Sequence, residues 1–377
     1  MPKDSVSPTS RKLPEKLSHS EQSNRSLLVV GSLSVILLAS FVSLVYKLSQ
    51  PGCDLVPYNS TSLSTAVTLD DGTMVFKIVV VTDLDHESKH PTKKNTWQSY
   101  MKKGILTISA DKTKATVDWN DNEQLSLQSH FAAGGRSMEL SDLVEFDGRL
   151  LSVDDRTGII YEINNGEARP WVFLSDGPGN ATKGFKAEWM TVKDKELYVG
   201  GLGKEWTTTE GVFVNHNPMW IKRVTPSGCV SHIKWVREYK KLRSAAGIEY
   251  PGYMIHESAQ WSAIHRKWFF MPRRASKEMY TEADDEHRGT NYLLIASEDF
   301  DSVEVKLVGT HTGSRGFSAF QFIPGTNDQL IVALKSEEKD GIPVASYITV
   351  FDHKKDVILL DEQPLKGAYK YEGIAFV

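Results

Sequence analysis

Two patterns of hydrophobic residues divide the chain. Residues 26–46, SLLVVGSLSVILLASFVSLVY, contain no charged side chain. At about 1.5 Å per residue, a helix of that length spans roughly 30 Å, the thickness of the hydrocarbon core of a bilayer. From Val75 onward, short apolar runs of the β type recur between turn residues, and helical periodicity is sparse. The pattern predicts one transmembrane helix followed by an all-β body.

The charges beside the apolar segment predict its orientation. The first 25 residues carry five Lys or Arg and three Asp or Glu, and Arg25 directly precedes the segment. The positive-inside rule therefore places the N-terminus in the cytosol. A cleaved signal peptide is the alternative, but the apolar core of a signal peptide is only about 7–15 residues long. We predict a cytoplasmic tail (1–25), a signal anchor (26–46), a lumenal stalk (47–72) and a body (73–377).

This organisation describes a single-pass type II protein of the ER or Golgi membrane, and cleavage in the stalk would release its body. Two sequons, at Asn59 and Asn180, agree with a lumenal glycoprotein. Cys53 and Cys229 are the only cysteines, which excludes a disulfide scaffold and a Cys-rich zinc or iron–sulfur site. An unpaired Cys53 in the stalk would bridge two chains into a homodimer. A free thiol, or a pair with Cys229, is the alternative.

A degenerate repeat runs through the body. Each copy begins with Glu or Ser, continues with alternating apolar residues, and reaches a second apolar strand after a turn. The copies start 47 to 69 residues apart, at Ser141-Asp142, Glu188, Glu257-Ser258, Ser318 and Glu372. Five copies predict a five-bladed β-propeller with one four-stranded blade per copy, and a two-sheet β-sandwich is the alternative. Because the last copy ends after one strand, we expect the apolar run Val75–Val81 to complete the fifth blade and close the ring.

The polar residue that opens each copy predicts a metal site. The innermost strands of a propeller line its central channel, so equivalent residues converge on the axis. Several carboxylates in one channel repel each other unless a cation lies among them, and oxygen ligands suit Ca²⁺. For a single Glu, a helix cap or a surface charge is the simpler interpretation, but the matched positions favour the metal. The predicted ligands are Ser141, Asp142, Glu188, Glu257, Ser318 and Glu372.

Charge and motifs narrow the chemistry further. A net charge of −4 argues against a nucleic-acid partner, and the sequence has no Walker A, GxSxG, HExxH or GxGxxG motif. Mixed acidic and basic residues stand instead where predicted strands end, as metal-assisted phosphoryl hydrolysis requires. Ordinary surface charge is the alternative for any one of them. The charged residues are Asp83, Asp85, Asp154, Asp155, Arg156, Lys204, Glu205, Arg273, Arg274, Lys335, Glu337 and Glu338, and Trp206 stands beside Glu205.

Several long blocks resemble the calcium-activated nucleotidase (apyrase) family. They include TDLDHESK, GRSMELSDLVEFDGRLLSVDDRTG, GFKAEWMTVKDKELYVGG, PGYMIHESAQWS, WFFMPRRAS and YKYEGIAFV, and they extend from about Phe76 to Val377. The resemblance implies a five-bladed propeller with one Ca²⁺ in its central tunnel. It also implies hydrolysis of nucleoside di- and triphosphates (UDP, GDP, UTP) to monophosphates, with UDP and GDP preferred. Gln260 departs from members that have a cysteine there.

Carried over by motif, the resemblance places the calcium ligands on the same six residues that the repeat nominates. It leaves the general base among Asp83, Asp85 and Asp155. The candidate substrate contacts are Arg136, Lys204, Glu205, Trp206 and Arg273, and Trp206 or Tyr280 could stack on a base. The alternative function is a non-catalytic, calcium-stabilised propeller that binds a lumenal or extracellular partner. A cluster of Asp, Arg and Lys at one channel mouth disfavours that alternative, because a scaffold does not need it.

Overall fold

A computed structural model describes residues 56–377. The predicted cytoplasmic tail, the predicted transmembrane helix and Cys53 lie outside these residues. Within residues 56–377, no helix is long and apolar enough to cross a bilayer.

Twenty strands form five antiparallel, four-stranded blades. Blade 1 contains Leu140–Phe146, Arg149–Asp154, Ile159–Asn164 and Glu167–Phe173. Blade 2 contains Ala187–Lys193, Glu196–Gly201, Trp220–Val224 and Val230–Lys234. Blade 3 contains Ala259–Ser262, Lys267–Phe270, Tyr292–Ser297 and Val303–Leu307. Blade 4 contains Arg315–Phe322, Leu330–Lys339, Ile342–Asp352 and Val357–Pro364. Blade 5 contains Lys370–Phe376, Met74–Asp83, Trp97–Ile108 and Ala115–Ser129.

Short elements connect the blades. The additional strands are Val67–Thr68, Trp206–Thr207, Phe213–Asn215, Tyr253–Ile255 and Arg274–Ser276. The α-helices are Val236–Ala245 and Glu282–Asp285, and the 3₁₀ turns are Asp85–Ser88 and Asn217–Met219. Val67–Thr68 pairs with the start of Met74–Asp83, so the end of the predicted stalk already contacts blade 5.

The ring closes between the two ends of the body. Lys370–Phe376 is the first strand of blade 5 and pairs antiparallel with Met74–Asp83, with Val80 opposite Ile374. The first strands of the five blades contact one another in order around the channel. The prediction of a five-bladed propeller closed by the N-terminal apolar run is therefore confirmed, and the β-sandwich alternative is wrong.

The core lies between the blades. Five clusters of buried apolar residues fill the five spaces between neighbouring blades. Between blades 2 and 3, the indole of Trp189 is fully buried, and a Cβ at Gly200 on the neighbouring strand would lie 2.0 Å from that ring. Side chains that alternate along each first strand enter these clusters or face the channel. Packing between the blades thus fixes which residues face the channel.

Candidate functional site

A cavity of about 760 Å³ opens at the end of the channel where the first strands begin. Ten of its lining residues are acidic and eight are basic, which is a formal excess of two negative charges when every group is ionised. That excess equals the charge of one divalent cation. Of the predicted site residues, the lining includes Asp83, Asp85, Arg136, Asp155, Glu188, Lys204, Trp206, Glu257, Arg273 and Glu372.

Three of the predicted metal ligands face this cavity with their carboxylates. Glu188 and Glu372 lie on the first strands of blades 2 and 5, and Glu257 lies two residues before that of blade 3. Burial raises the pKa of Glu188 to about 8, and repulsion from Glu257 contributes to that shift. Burial also raises the pKa of Glu372 well above its usual value, again with a contribution from Glu257. Glu257 is thus near enough to both other glutamates to repel them, and Arg273 contacts Glu257 and Glu372 directly.

The other three predicted ligands use their side chains within the channel wall. Asp142 accepts hydrogen bonds from the backbone N–H of Leu143 at 2.7 Å and of Met190 at 2.6 Å, which ties blade 1 to blade 2. Ser318 Oγ donates to the Tyr371 carbonyl at 2.8 Å, which ties blade 4 to blade 5. Ser141 Oγ lies 3.5 Å from the Glu139 carbonyl. Asp142 and Ser318 thus join neighbouring blades and Ser141 bonds within its own segment, and none of the three lines the cavity.

Sequence reasoning did not nominate Glu139, Lys186 and Lys370, which also line the cavity. Each stands two residues before a repeat position, namely Ser141, Glu188 or Glu372. Residues two apart lie on the same face of a strand, so this spacing could have identified the three residues from the sequence. Lys186 Nζ lies 3.0 Å from Glu188 Oε1, and Lys370 Nζ lies 3.6 Å from Glu372 Oε1.

Arg273 connects carboxylates from three blades. Its Nη1 lies 2.7 Å from Glu257 Oε2 and 3.0 Å from Glu372 Oε1, and its Nη2 donates to Glu338. These charges outweigh burial and raise the pKa of Arg273 well above its usual value. At Gly316, a Cβ would lie 1.8 Å from the Arg273 carbonyl oxygen, so only glycine lets the two backbones approach this closely.

Lys370 holds a second group of carboxylates. Its Nζ lies 2.7 Å from Asp83 Oδ2, 2.8 Å from Asp85 Oδ2 and 3.4 Å from Glu338 Oε1. Burial would raise the pKa of Glu338, but Arg273 and Lys370 outweigh it and hold that pKa at about 2. Burial would also raise the pKa of Asp85, and the nearby Lys370 again lowers it below its usual value.

Asp83, Glu139 and Asp155 form the closest acidic cluster of the described residues, with one carboxylate oxygen of each within 4.8 Å of the others. Burial raises the pKa of Asp83 well above its usual value although Lys370 opposes the shift. Burial likewise raises the pKa of Glu139 to about 7 against the effect of Arg136.

Each carboxylate of this cluster has a basic partner. Arg136 binds Glu139 through two hydrogen bonds of 2.7 and 2.6 Å, and Lys186 binds Asp155 Oδ2. Asp155 Oδ1 is buried and accepts no hydrogen bond from the described residues.

Glu205, a predicted substrate contact, lies between two residues of the cavity lining but is paired elsewhere. Its carboxylate receives hydrogen bonds of 2.7 and 3.0 Å from Arg243 of the helix Val236–Ala245. Its neighbours Lys204 and Trp206 do line the cavity. Glu205 therefore holds this stretch of chain in place from behind.

We expect Arg243→Met to lower the free energy of unfolding by about 3–5 kcal/mol, because it leaves the Glu205 carboxylate buried without a partner. The side chains of this pair are only 3% and 5% exposed. Denaturant unfolding of the full chain measures the change. Arg237→Met is the control, since the ion pair of Arg237 with Asp301 is 62% and 67% exposed and contributes about 1 kcal/mol or less. Equal, small losses in both variants would contradict the interpretation.

The donor set of the cavity fits a hard divalent cation. Its candidate ligand atoms are carboxylate oxygens, acidic residues outnumber basic ones in the lining, and Asp155 Oδ1 is a buried acceptor that no donor among residues 56–377 reaches. Calcium takes six to eight such oxygens, whereas zinc prefers nitrogen and sulfur. No cysteine or histidine of the described part of the chain lines the cavity.

Comparison with known proteins gives a consistent set of relatives. A family model described as Apyrase matches residues 84–377. Apyrase apy-1 of Caenorhabditis elegans is 57% identical over 319 residues, which cover 84% of this chain and 89% of the relative. Soluble calcium-activated nucleotidase 1 of Rattus norvegicus is 52% identical over 320 residues, which cover 85% of this chain and 78% of the relative. An apyrase of Cimex lectularius is 40% identical over 351 residues, which cover 93% of this chain and 95% of the relative.

Proposed function

The chain belongs to the apyrase family, and from that premise we propose that it hydrolyses the phosphoanhydride bonds of nucleoside di- and triphosphates. The products are phosphate and the nucleoside monophosphate. The observation that carries the proposal is the cavity itself, where carboxylates and basic side chains from the five blades meet at one end of the channel. Phosphoryl transfer needs positioned cations, a water-orienting carboxylate and few other groups.

The basic residues of the lining are the proposed phosphate contacts. Arg136, Lys204 and Arg273 present guanidinium and ammonium groups to the cavity, and such groups bind phosphate oxygens through charge-assisted hydrogen bonds. Trp206 and Tyr280 supply aromatic faces for the base, with Lys183 Nζ 4.4 Å from the Trp206 ring and Lys204 Nζ 4.0 Å from the Tyr280 ring. We propose UDP and GDP as the preferred substrates.

Calcium is the proposed cofactor. Glu188, Glu257 and Glu372 would hold it through their carboxylates. Ser141, Asp142 and Ser318 stay proposed ligands by their repeat positions, although their side chains bond to the channel wall. A bound Ca²⁺ supplies positive charge that offsets the negative charge developing on the phosphate oxygens.

The cluster of Asp83, Glu139 and Asp155 is the proposed site of water activation. A general base works best when its pKa lies near the working pH, and the pKa of Glu139 is about 7. Asp83 and Asp155 lie close enough to share or orient the abstracted proton. Asp85 keeps its charge because Lys370 lowers its pKa, and it hydrogen-bonds Arg136 at 3.2 Å. Asp85 is therefore better suited to orient a basic residue than to take a proton.

We place the body in the ER or Golgi lumen. The uncharged segment at residues 26–46 and the two sequons support this location. A lumenal diphosphatase would remove nucleoside diphosphates that glycosyl transfer leaves behind.

The products of the full chain test the proposed function. UDP, GDP, ADP, UTP and UMP are incubated with the protein and calcium, and phosphate and nucleotides are quantified. We expect UDP and GDP to give monophosphate and phosphate at the highest rates, UTP to be degraded to UMP, and UMP to be stable. Release of phosphate from UMP, or from no nucleotide at all, would contradict the proposal.

The pH dependence of substrate binding tests the role of Lys204. Burial lowers the pKa of its ammonium to about 8, although Asp285 and Glu205 oppose the shift. The positive charge is present below that pH and is lost above it, so the KM for UDP should rise by up to about tenfold per pH unit above 8. Lys204→Arg stays charged throughout and should lack this rise. The same alkaline rise in both proteins would exclude Lys204 as its cause.

A further inference from the structure

We propose that Asn180 carries an N-linked oligosaccharide that stands at the mouth of the cavity and keeps macromolecular substrates out. The inference rests on the lumenal location proposed above. It starts from the sequon Asn180-Ala181-Thr182, which lies in the loop from Ser175 to Gly184 between blades 1 and 2.

This loop is a narrow, closed structure. Ser175 and Gly184 pair as a bridge, and the Asp176 N–H donates to the Lys183 carbonyl at 2.9 Å. The Ser175 hydroxyl donates to the Gly179 carbonyl at 3.2 Å. Asn180 is exposed, and its side chain makes no hydrogen bond within residues 56–377. The acceptor amide is therefore available for modification.

One side of the loop is fastened to blade 2. The buried Lys222 Nζ donates to the Gly177 carbonyl, and Asn217 Nδ2 donates to Asp176 at 3.1 Å. At Gly179, an added Cβ would lie 2.2 Å from the His232 ring, so the loop rests directly on that side chain. These contacts hold the direction in which Asn180 projects.

The other side of the loop is part of the cavity wall. Thr182, Lys183 and Gly184 line the cavity, and Lys183 lies over the ring of Trp206. Asn180 precedes Thr182 by two residues, so their Cα atoms are at most about 7 Å apart. An N-linked oligosaccharide is bulky and hydrated. Attached here, it covers part of the opening.

The sequon at Asn59 has different surroundings. Asn59 lies beside the first turn of blade 1, where a Cβ at Gly148 would come within 2.2 Å of Asn59 Nδ2. Its backbone N–H donates to Asp147, and its Oδ1 accepts from the Thr61 N–H at 3.0 Å. None of these residues lines the cavity. A sugar at Asn59 would not affect access, so Asn59→Gln is a matched control.

The consequence is selection by size. A nucleoside diphosphate fits a cavity of about 760 Å³ and passes beside the oligosaccharide. An RNA with a terminal triphosphate has the same phosphoanhydride bond, but its chain must extend through the opening. Steric exclusion of this kind discriminates against the large competitor without altering contacts to the small one.

The modification is tested on the full chain made in secretory cells. The wild type, Asn180→Gln, Asn59→Gln and Asp111→Asn are compared by mass before and after enzymatic deglycosylation. Asp111→Asn creates a sequon with Thr113 in the exposed turn that follows the strand Trp97–Ile108. The last residue of that strand, Ile108, pairs with Met74. Met74 and the cavity residue Asp83 are the two ends of one strand and lie nine residues, or about 30 Å, apart. A sugar at position 111 therefore stands at the end of blade 5 away from the cavity.

We expect Asn180→Gln to lose one oligosaccharide and Asp111→Asn to gain one. An unchanged mass in Asn180→Gln, with sugar present on Asp111→Asn, would overturn the inference. Absence of sugar from every protein, including Asp111→Asn, would overturn the lumenal location and the inference with it. Hydrolysis of UDP by the same preparations reports separately on the proposed function.

Access to the cavity is tested by measuring the rates at which each protein hydrolyses UDP and an RNA oligonucleotide with a 5′-triphosphate. In Asn180→Gln, we expect an unchanged rate on UDP and a rise of about tenfold or more on the RNA. Asn59→Gln and Asp111→Asn should match the wild type on both substrates. An RNA rate that stays the same after loss of the Asn180 sugar would overturn the exclusion role.

Discussion

Arg273→Met is expected to reduce kcat/KM for UDP by about a hundredfold to a thousandfold and to destabilise the fold. Arg273 is a proposed phosphate contact, and removal of one well-placed donor to developing negative charge costs about 10²–10³ in kcat. Its side chain is 5% exposed and contacts Glu257, Glu338 and Glu372. Its loss leaves these carboxylates facing one another, with a cost of about 3–5 kcal/mol in the free energy of unfolding.

Steady-state kinetics and denaturant unfolding of the same preparation separate the two effects. Arg273→Lys retains the charge without the planar, forked donor group, so it should recover part of the stability and little of the activity. If Arg273→Met is stable and retains near wild-type kcat/KM, Arg273 neither binds phosphate nor neutralises the cluster.

Glu188→Gln and Glu257→Gln are expected to weaken calcium binding and activity together. Each replaces a proposed carboxylate ligand with a neutral amide, and we expect the calcium concentration for half-maximal activity to rise by about 10–100-fold. The rate of phosphate release from UDP, titrated with calcium, gives this midpoint. A high calcium concentration should restore part of the rate, because the proposed base and phosphate contacts remain.

The matched control is Glu304→Gln, whose carboxylate is 54% exposed and lies 4.0 Å from Lys306 on the outer strand of blade 3. Its calcium midpoint should equal that of the wild type. A wild-type midpoint in both Glu188→Gln and Glu257→Gln would show that neither glutamate binds the cation.

The sequence was sufficient to predict the ring and part of its chemistry. Glu188, Glu257 and Glu372 repeat at matched positions because the first strand of each blade meets the same channel. The apolar run that closes the ring was recognisable because the last copy lacked a partner strand. Both features follow from the spacing and polarity of residues along the chain, which can be read from the sequence.

The contacts of individual side chains were less predictable. The repeat position also holds Asp142 and Ser318, yet their side chains bond to the backbone of the next blade. A bulge interrupts the register at the repeat position in blades 1, 2, 4 and 5 alike, so the register alone does not decide whether an oxygen there faces the cavity or joins two blades. Glu205 similarly stands among cavity residues in the sequence but pairs with Arg243, which is 38 residues away.

The ion pairs of the two buried lysines could not be predicted for a different reason. Lys186 and Lys370 neutralise carboxylates that come from other strands or other blades. Alternation within a strand could have nominated both lysines, but only the fold pairs Lys186 with Asp155 and Lys370 with Asp83. Distant partners that share one buried site leave no local pattern in the chain.

Dependence of UDP hydrolysis on calcium is the most direct test of the account. Initial rates of phosphate release by the full chain are measured in calcium, in magnesium at equal concentration, and in a calcium chelator. The carboxylate-lined cavity and its excess negative charge predict rapid release in calcium, much slower release in magnesium and none in chelator. An equal rate in chelator would contradict the account, because the proposed chemistry would then proceed without the cation.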